Sequence, residues 1–147
     1  MAMAGDGNLV FAVKAFDHLV LRARDPGVLV AFYRDAIGCA VAWERPELGL
    51  THLRAGSAMI DVVDINGPLG TAGVAQPAPY GRNVDHLCLR IDPFDFDALS
   101  AHFAKFGMAV EPPKDRFGAT GFGPSIYLAD PEGNGIELKA EDSRPKA

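Results

Sequence analysis

The chain has few cysteines and no long apolar run, and both shortages narrow the class of protein. Its two cysteines, Cys39 and Cys88, do not form a CxxC pair, so we expect buried, reduced thiols rather than nucleophiles. No stretch approaches the roughly 18 apolar residues of a membrane span. Residues 1–10 also lack the basic start and apolar run of a secretory signal. These features predict a cytoplasmic protein.

Clustered positive charge is also missing. The chain carries 14 Lys and Arg against 19 Asp and Glu, which gives a formal net charge of -5. Nucleic acids and anionic membranes bind clustered basic residues, so we expect neither as a partner. With 48% hydrophobic and 22% charged residues over 147 positions, the composition fits one compact globular domain that binds a small molecule.

The most informative feature that is present is an internal repeat. Residues 17–22 read DHLVLR, and residues 85–90 read DHLCLR. A second echo follows each copy, because residues 60–63 read IDVV and residues 136–139 read IELK, each with a carboxylate directly after an isoleucine. Two half-domains therefore contribute one histidine and one carboxylate each.

The repeated histidines and carboxylates predict one divalent-metal site. Alternate side chains of a strand share a face, so His18 and His86 occupy equivalent positions on equivalent strands. If the two halves pack as related sheets, these histidines face each other across a cleft that the acids also enter. Imidazole and carboxylate ligands suit Zn²⁺, Ni²⁺, Co²⁺, Mn²⁺ or Fe²⁺. The predicted ligands are His18, Asp61, His86 and Glu137; Asp61, one methylene shorter than Glu137, could instead be an ordinary surface acid.

Four other polar side chains are candidates for contacting the substrate. Arg54, Arg116 and Tyr127 could grip an anionic group or donate a proton, and His52 could line the cleft. The alternatives are surface solvation for the two arginines and core packing for Tyr127.

Hydrophobic periodicity and turn signals predict the same order in both halves, namely a strand, a helix and three strands. The first helix should begin at Asp25 and Pro26 and run to about Ala36. In the second half we expect a helix within 93–106, a strand at 108–112 and a glycine-rich loop at 113–124. The predicted α+β domain covers 14–140, with module one at 14–65, a linker at 66–82, module two at 83–140, and tails at 1–13 and 141–147.

Two longer motifs carry a resemblance to a known family. Residues 17–38 read DHLVLRARDPGVLVAFYRDAIG, and residues 125–139 read SIYLADPEGNGIELK. Over about residues 16–140 the chain resembles the vicinal oxygen chelate superfamily of glyoxalases, bleomycin-resistance proteins and extradiol dioxygenases. The resemblance implies two βαβββ modules that pair into an incomplete barrel around a metal-binding cleft, within a homodimer. It places the family's metal ligands at His18, His86 and Glu137, and its variable fourth ligand at Asp61.

The resemblance also implies metal-dependent chemistry on a small molecule with two adjacent oxygens, through a metal-stabilised enediolate or similar anion. We expect a glyoxalase-like lyase or isomerase in which Glu137 or Asp61 moves a proton next to a carbonyl. Its substrate can include a thiol adduct. Three alternatives stay open: a ring-cleaving dioxygenase with Fe²⁺ on His18, His86 and Glu137, a thiol transferase for an epoxide antibiotic, and a metal-free drug-binding resistance protein.

Overall fold

Each half of the chain folds as a strand, a helix and three further strands. The structure is a computed structural model that describes residues 10–72, 82–141 and 144. The elements of the first half are β1 (His18–Ala23), α1 (Pro26–Ala31), β2 (Val41–Arg45), β3 (Leu50–Ala55) and β4 (Ala58–Asp64). Those of the second half are β5 (His86–Ile91), α2 (Phe96–Ala104), β6 (Lys114–Gly118), β7 (Gly121–Ala129) and β8 (Gly135–Ala140).

The two four-stranded sheets have the same topology. Their strand orders are β1-β4-β3-β2 and β5-β8-β7-β6. In each sheet the first and last strands of the module run parallel, whereas the other neighbours are antiparallel. Within the described residues the sheets do not close into a barrel. The predicted α+β fold, with two βαβββ modules and an incomplete barrel, is confirmed.

The first helix begins and ends at the residues that the sequence indicates. The Asp25 carboxylate accepts a hydrogen bond from the Val28 N–H at 3.2 Å, and Pro26 lies in the first turn. The helix continues past α1 as a π-helical segment, Phe32–Ile37, and Gly38 ends it with a left-handed φ of 88°. In the part of the chain that the structure describes, no helix is long and apolar enough to cross a membrane.

The prediction of a glycine-rich loop at 113–124 is wrong. This stretch forms β6, a tight turn and the beginning of β7, with Phe117 paired to Phe122. A Cβ on Gly118 would lie 3.2 Å from the Lys139 side chain. The glycine therefore marks a close approach of β6 to the Lys139 side chain of β8 and does not belong to a free loop.

The prediction of a strand at 108–112 is also wrong. Met108 and Val110 pack against the core without joining either sheet, so their apolar alternation reflects burial and not strand pairing. The described part of the predicted linker contains a 3₁₀ turn, Gly70–Ala72, and residues 73–81 lie outside the described residues. Residues 1–9, 142–143 and 145–147 of the predicted tails also lie outside them, and the module boundaries stay predictions.

The helices cover one face of both sheets and join the modules through one core. Side chains of this helix-side face alternate along the strands with those of the opposite face, here named the site face because it carries the four predicted ligands. Phe103 of α2 belongs to the same buried cluster as Leu29 of α1. The cluster comprises Ala23, Leu29, Phe32, Tyr33, Ala36, Cys39, Leu53, Ile60, Val62, Phe103, Ile126, Ile136 and Leu138.

A buried carboxylate in the β7–β8 turn links the two modules. Asp130 accepts a hydrogen bond from the Tyr33 hydroxyl at 2.7 Å. The same carboxylate accepts the backbone N–H groups of Glu132 and Asn134, each at 2.9 Å. The Glu132 carboxylate in turn accepts the backbone N–H of Asp25 at 3.0 Å. Burial raises the pKa of Tyr33 above its usual value, so its hydroxyl stays protonated and remains a donor.

We predict that Asp130→Ala destabilises the fold more than Tyr33→Phe does. Alanine leaves a buried hydroxyl and the turn amides without their acceptor, which should lower the free energy of unfolding by about 2–4 kcal/mol. Phenylalanine removes one donor of several, which should cost about 1 kcal/mol. Urea unfolding of both variants and of the double variant measures these values. Strictly additive effects would contradict a direct coupling between the hydroxyl and the carboxylate.

Candidate metal and substrate site

In module two a histidine and a glutamate converge on the site face. Cys88 lies opposite Glu137 in the parallel pair of β5 and β8, and the long Glu137 side chain extends toward His86. Nε2 of His86 lies 3.1 Å from Oε1 of Glu137. The buried Ser125 hydroxyl donates a hydrogen bond to the other carboxylate oxygen at 2.7 Å. An imidazole nitrogen and a fixed carboxylate are thus presented together, as two ligands of one cation would be.

In module one the equivalent acid has a different partner. Asp61 is buried, and its Oδ1 lies 2.9 Å from Nδ1 of His52 on the neighbouring strand. Trp43 stacks on His52, with ring centroids 5.9 Å apart. His18 is half-exposed at the start of β1. The Asp61 carboxylate also contributes to the raised pKa of His18, so the exposed histidine and the His52–Asp61 pair lie near each other on module one.

An aspartate directly precedes each predicted ligand histidine and contacts it. Asp17 lies 2.6 Å from Nδ1 of His18, and Asp85 lies 2.7 Å from Nδ1 of His86. These hydrogen bonds are the largest cause of the raised pKa of both histidines. With Nδ1 of each ring bonded to an aspartate, Nε2 is the nitrogen that can bind a metal, and in His86 it already contacts Glu137. The repeated Asp-His pair in the sequence indicates these contacts, although the aspartates were not among the predicted site residues.

Within the described part of one copy of the chain, the two halves of the predicted metal site do not form one group of ligands. Among residues 10–72, 82–141 and 144, no group of three or more His, Cys, Asp or Glu side chains is placed to hold a metal ion. The donor types nevertheless suit a divalent metal, with His86 and Glu137 in one module and His18 in the other. The four-ligand site stays a prediction, and one described copy of the chain does not complete it.

A basic and a phenolic side chain lie beside His86. Arg116 Nε donates a hydrogen bond to the Tyr127 hydroxyl oxygen at 2.9 Å. The Tyr127 ring packs edge-on against His86, with centroids 6.1 Å apart, and it lies opposite Glu137 in the sheet. Both side chains are exposed. The guanidinium can therefore meet an anionic group that enters next to His86.

The other two predicted substrate contacts lie in module one. His52 lies opposite Asp61 on β3, the place that Tyr127 occupies in module two. Arg54 is exposed at the next position along the same face of β3. The four predicted substrate contacts are therefore divided between the modules in the same way as the predicted ligands.

Ser125 is a site residue that the sequence did not reveal. It is fully buried and holds the Glu137 carboxylate. A serine in the middle of β7 matches no motif of its own. The one available signal was its place on the same strand face as Tyr127, one alternation away.

Paired βαβββ modules, each with histidine and carboxylate side chains on the site face, define the class of fold that the repeat already indicated. The chain belongs to the Glyoxalase/Bleomycin resistance protein/Dioxygenase superfamily, whose family model matches residues 15–138. The predicted resemblance is thereby confirmed. At the level of the superfamily, membership supports a metal-dependent enzyme that modifies a small molecule.

Three similar proteins illustrate this relationship. Fosfomycin resistance protein FosX of Mesorhizobium japonicum is 35% identical over 57 residues, which span 39% of this chain and 40% of FosX. A structure from the mobile metagenome of V. Pseudocholerae has a TM-score of 0.71 at 24% identity, covering 92% of this chain and 100% of the other. The lactoylglutathione lyase of Agrobacterium tumefaciens has a TM-score of 0.62 at 25% identity, covering 88% and 95%. The match to FosX spans less than half of either protein.

Cys88 is exposed, so the expectation that both cysteines are buried is right for Cys39 and wrong for Cys88. We nevertheless predict that Cys88 is a slowly reacting thiol. Desolvation of its sulfur and the neighbouring Glu137 carboxylate raise the pKa of the Cys88 thiol to about 11. At pH 8 its thiolate fraction should be roughly a hundredfold below that of an ordinary cysteine. A more basic thiolate is also more nucleophilic, so the net slowing should be roughly tenfold. Iodoacetamide labelling and mass spectrometry, with glutathione in the same reaction as the reference, measure this; equal rates would contradict it.

Proposed function

We propose that the protein is a divalent-metal-dependent lyase or isomerase that acts, as a homodimer, on a small anionic molecule with two adjacent oxygens. The observation that carries the proposal is the contact of His86 with Glu137 beside the Arg116–Tyr127 pair. This contact puts metal-ligand chemistry next to a group that binds anions.

The exposed side chains of the two site faces support a homodimer. On module one Val20 and Trp43 are 46% and 59% exposed, and on module two Tyr127 is 41% exposed. Large apolar side chains that share an uncovered face are typical of an interface. A second copy, placed so that its module one meets module two of the first, would cover these side chains by two-fold symmetry.

The same pairing would complete the ligand set. His18 of the partner subunit would join His86 and Glu137, and these three are our proposed metal ligands. Asp61 is left out because its shorter side chain bonds His52, which is not one of the proposed ligands, whereas Glu137 contacts the ligand histidine of its own module. The two identical sites of the dimer would then each use residues from both copies.

Mixing two inactive variants tests this shared site. His18→Ala and His86→Ala should each bind little metal as pure proteins, because each loses one of three ligands. A heterodimer of the two has one intact site, so refolding them together should restore about a quarter of the wild-type metal content. Metal analysis and light scattering after size exclusion measure content and assembly.

Each variant refolded with itself is the control for that experiment. No recovery of metal in the mixture, with dimers present, would contradict a site built from two copies. A monomeric wild-type protein that binds metal stoichiometrically would contradict it as well.

The described side chains divide the work of the proposed reaction. A bound divalent metal would polarise the two adjacent oxygens of the substrate and favour loss of the neighbouring proton. Arg116 and Tyr127 would hold the anionic end. Both oxygens of Glu137 are engaged, by His86 and Ser125, which suits a ligand better than a base. Proton transfer then falls to the face of module one.

A second candidate function is modification of fosfomycin, a small phosphonate that carries an epoxide. The 35% identity to FosX over 57 residues favours it. A phosphonate also suits the exposed guanidinium of Arg116 beside Tyr127. In this reaction a thiol or water would open the epoxide, so no carbon-bound proton would be moved.

Two substrates separate these functions. The metal-loaded protein should convert the hemithioacetal of methylglyoxal and glutathione, which an absorbance assay measures. Arg116→Gln should lower kcat/KM roughly tenfold by raising KM, because the guanidinium binds the substrate and does not take part in the reaction. Arg34→Gln is the matched control, since Arg34 pairs with Asp35 on the π-helical segment. Turnover of fosfomycin but not of the hemithioacetal would favour the second function; phosphorus NMR with and without glutathione measures it. Turnover of neither substrate would contradict both functions.

A further inference from the structure

The acids of the two modules are held differently although they occupy equivalent places. Each lies opposite a ring on the neighbouring strand, Asp61 opposite His52 and Glu137 opposite Tyr127. Glu137 extends toward the first strand of its module and contacts His86. Asp61, which is one methylene shorter, bonds the ring opposite it. The pseudo-symmetric site therefore contains one acid beside a ligand histidine and one acid beside a different histidine.

The contact with Asp61 selects one tautomer of His52. An ionised carboxylate only accepts hydrogen bonds, so Nδ1 of His52, 2.9 Å from Oδ1 of Asp61, carries the proton. In the neutral ring Nε2 is then an unprotonated base. The Asp61 side chain is 7% exposed and the His52 side chain 17% exposed, so water competes little for this hydrogen bond.

A stack of side chains restrains the same ring. Trp43 lies against His52 with an interplanar angle of 26°, and the Arg45 guanidinium lies 4.4 Å from the centre of the Trp43 ring on the same strand. A ring held by a stack on its face and a hydrogen bond at its edge has little freedom to rotate. Such restraint is what a group needs if it must meet a substrate atom in one orientation.

We propose that His52 is the proton-transfer residue of this site and that Asp61 positions His52 and does not bind the metal. This inference rests on the proposed lyase or isomerase function. In the first step the C–H bond next to a substrate carbonyl breaks, its electron pair stays on the substrate, and the proton moves to Nε2 of His52. The resulting imidazolium is stabilised by the Asp61 carboxylate. His52, whose side chain is 17% exposed, can exchange this proton with water before it delivers a proton to the adjacent carbon, so none is gained or lost overall.

Two measurements test the His52–Asp61 arrangement without turnover. Nitrogen-15 NMR of the histidine side chains should show His52 with its proton on Nδ1, assigned by the signals that disappear in His52→Gln. Asp61→Asn should shift these signals but retain the wild-type metal content, whereas Glu137→Gln should lose metal. A proton on Nε2 of wild-type His52, or loss of metal from Asp61→Asn, would overturn the proposal.

Proton transfer itself can be followed with hydroxypyruvate, a small anion with two adjacent oxygens and C–H protons next to its carbonyl. In D₂O the metal-loaded wild-type protein should exchange its C–H protons, which proton NMR detects. His52→Gln should slow the exchange roughly a hundredfold, and Asp61→Asn roughly tenfold. His102→Gln is the matched control, because His102 lies on α2 and contacts the backbone carbonyl of Ala36; it should exchange at the wild-type rate.

The outcomes distinguish this inference from the function on which it rests. Wild-type exchange by a folded, metal-loaded His52→Gln variant would overturn the role of His52 and leave the proposed function standing. Absence of exchange by the metal-loaded wild-type protein would overturn the proposed function and the proton-transfer step with it. The NMR and metal measurements would then still decide whether Asp61 positions His52. Circular dichroism of each variant separates these results from loss of the fold.

Discussion

Parallel pairing of the first and last strands of each module is the constraint on which the rest of the structure depends. A parallel neighbour cannot be reached by a hairpin, so the chain crosses over, and its helix covers one face of the sheet. The register then puts Asp61 opposite Val20 and Glu137 opposite Cys88, on the face that carries the first-strand histidine. The buried core and the predicted ligands therefore lie on opposite faces of the same sheets, and the same strand register determines both.

Local sequence patterns predicted most of the fold because the ends of helices and turns are determined by neighbouring residues. The cap at Asp25 and the left-handed Gly38 mark both ends of the first helix. The prediction of a loop at 113–124 is wrong because it also relied on neighbouring residues alone. Glycine indicates a loop when only neighbouring residues are considered, whereas Gly118 lies close to Lys139, a residue of another strand. No sequence window around Gly118 contains that reason.

The individual residues of the candidate site could be predicted from the sequence, but their arrangement in space could not. Strand alternation shows which side chains share a face, and the missing methylene of Asp61 identified the acid that differs. Its partner His52 depends on the register between β3 and β4. The relative placement of the two modules rests on contacts between residues far apart in the chain, such as that of Tyr33 with Asp130. Neither relationship has a local signature, so only the structure shows that the donors of the two modules do not form one group within the described residues.

The closing turn of module two also caps the first helix of module one, because the Glu132 carboxylate accepts the backbone N–H groups of Arg24 and Asp25. The two modules, which begin with nearly the same strand sequence, are therefore not independent of each other in this structure. A polypeptide divided between them would lose the anion at the helix start and open the cluster around Leu29 and Phe103 to water. The two modules share one sheet topology, but because they also share one core we expect neither to fold stably alone.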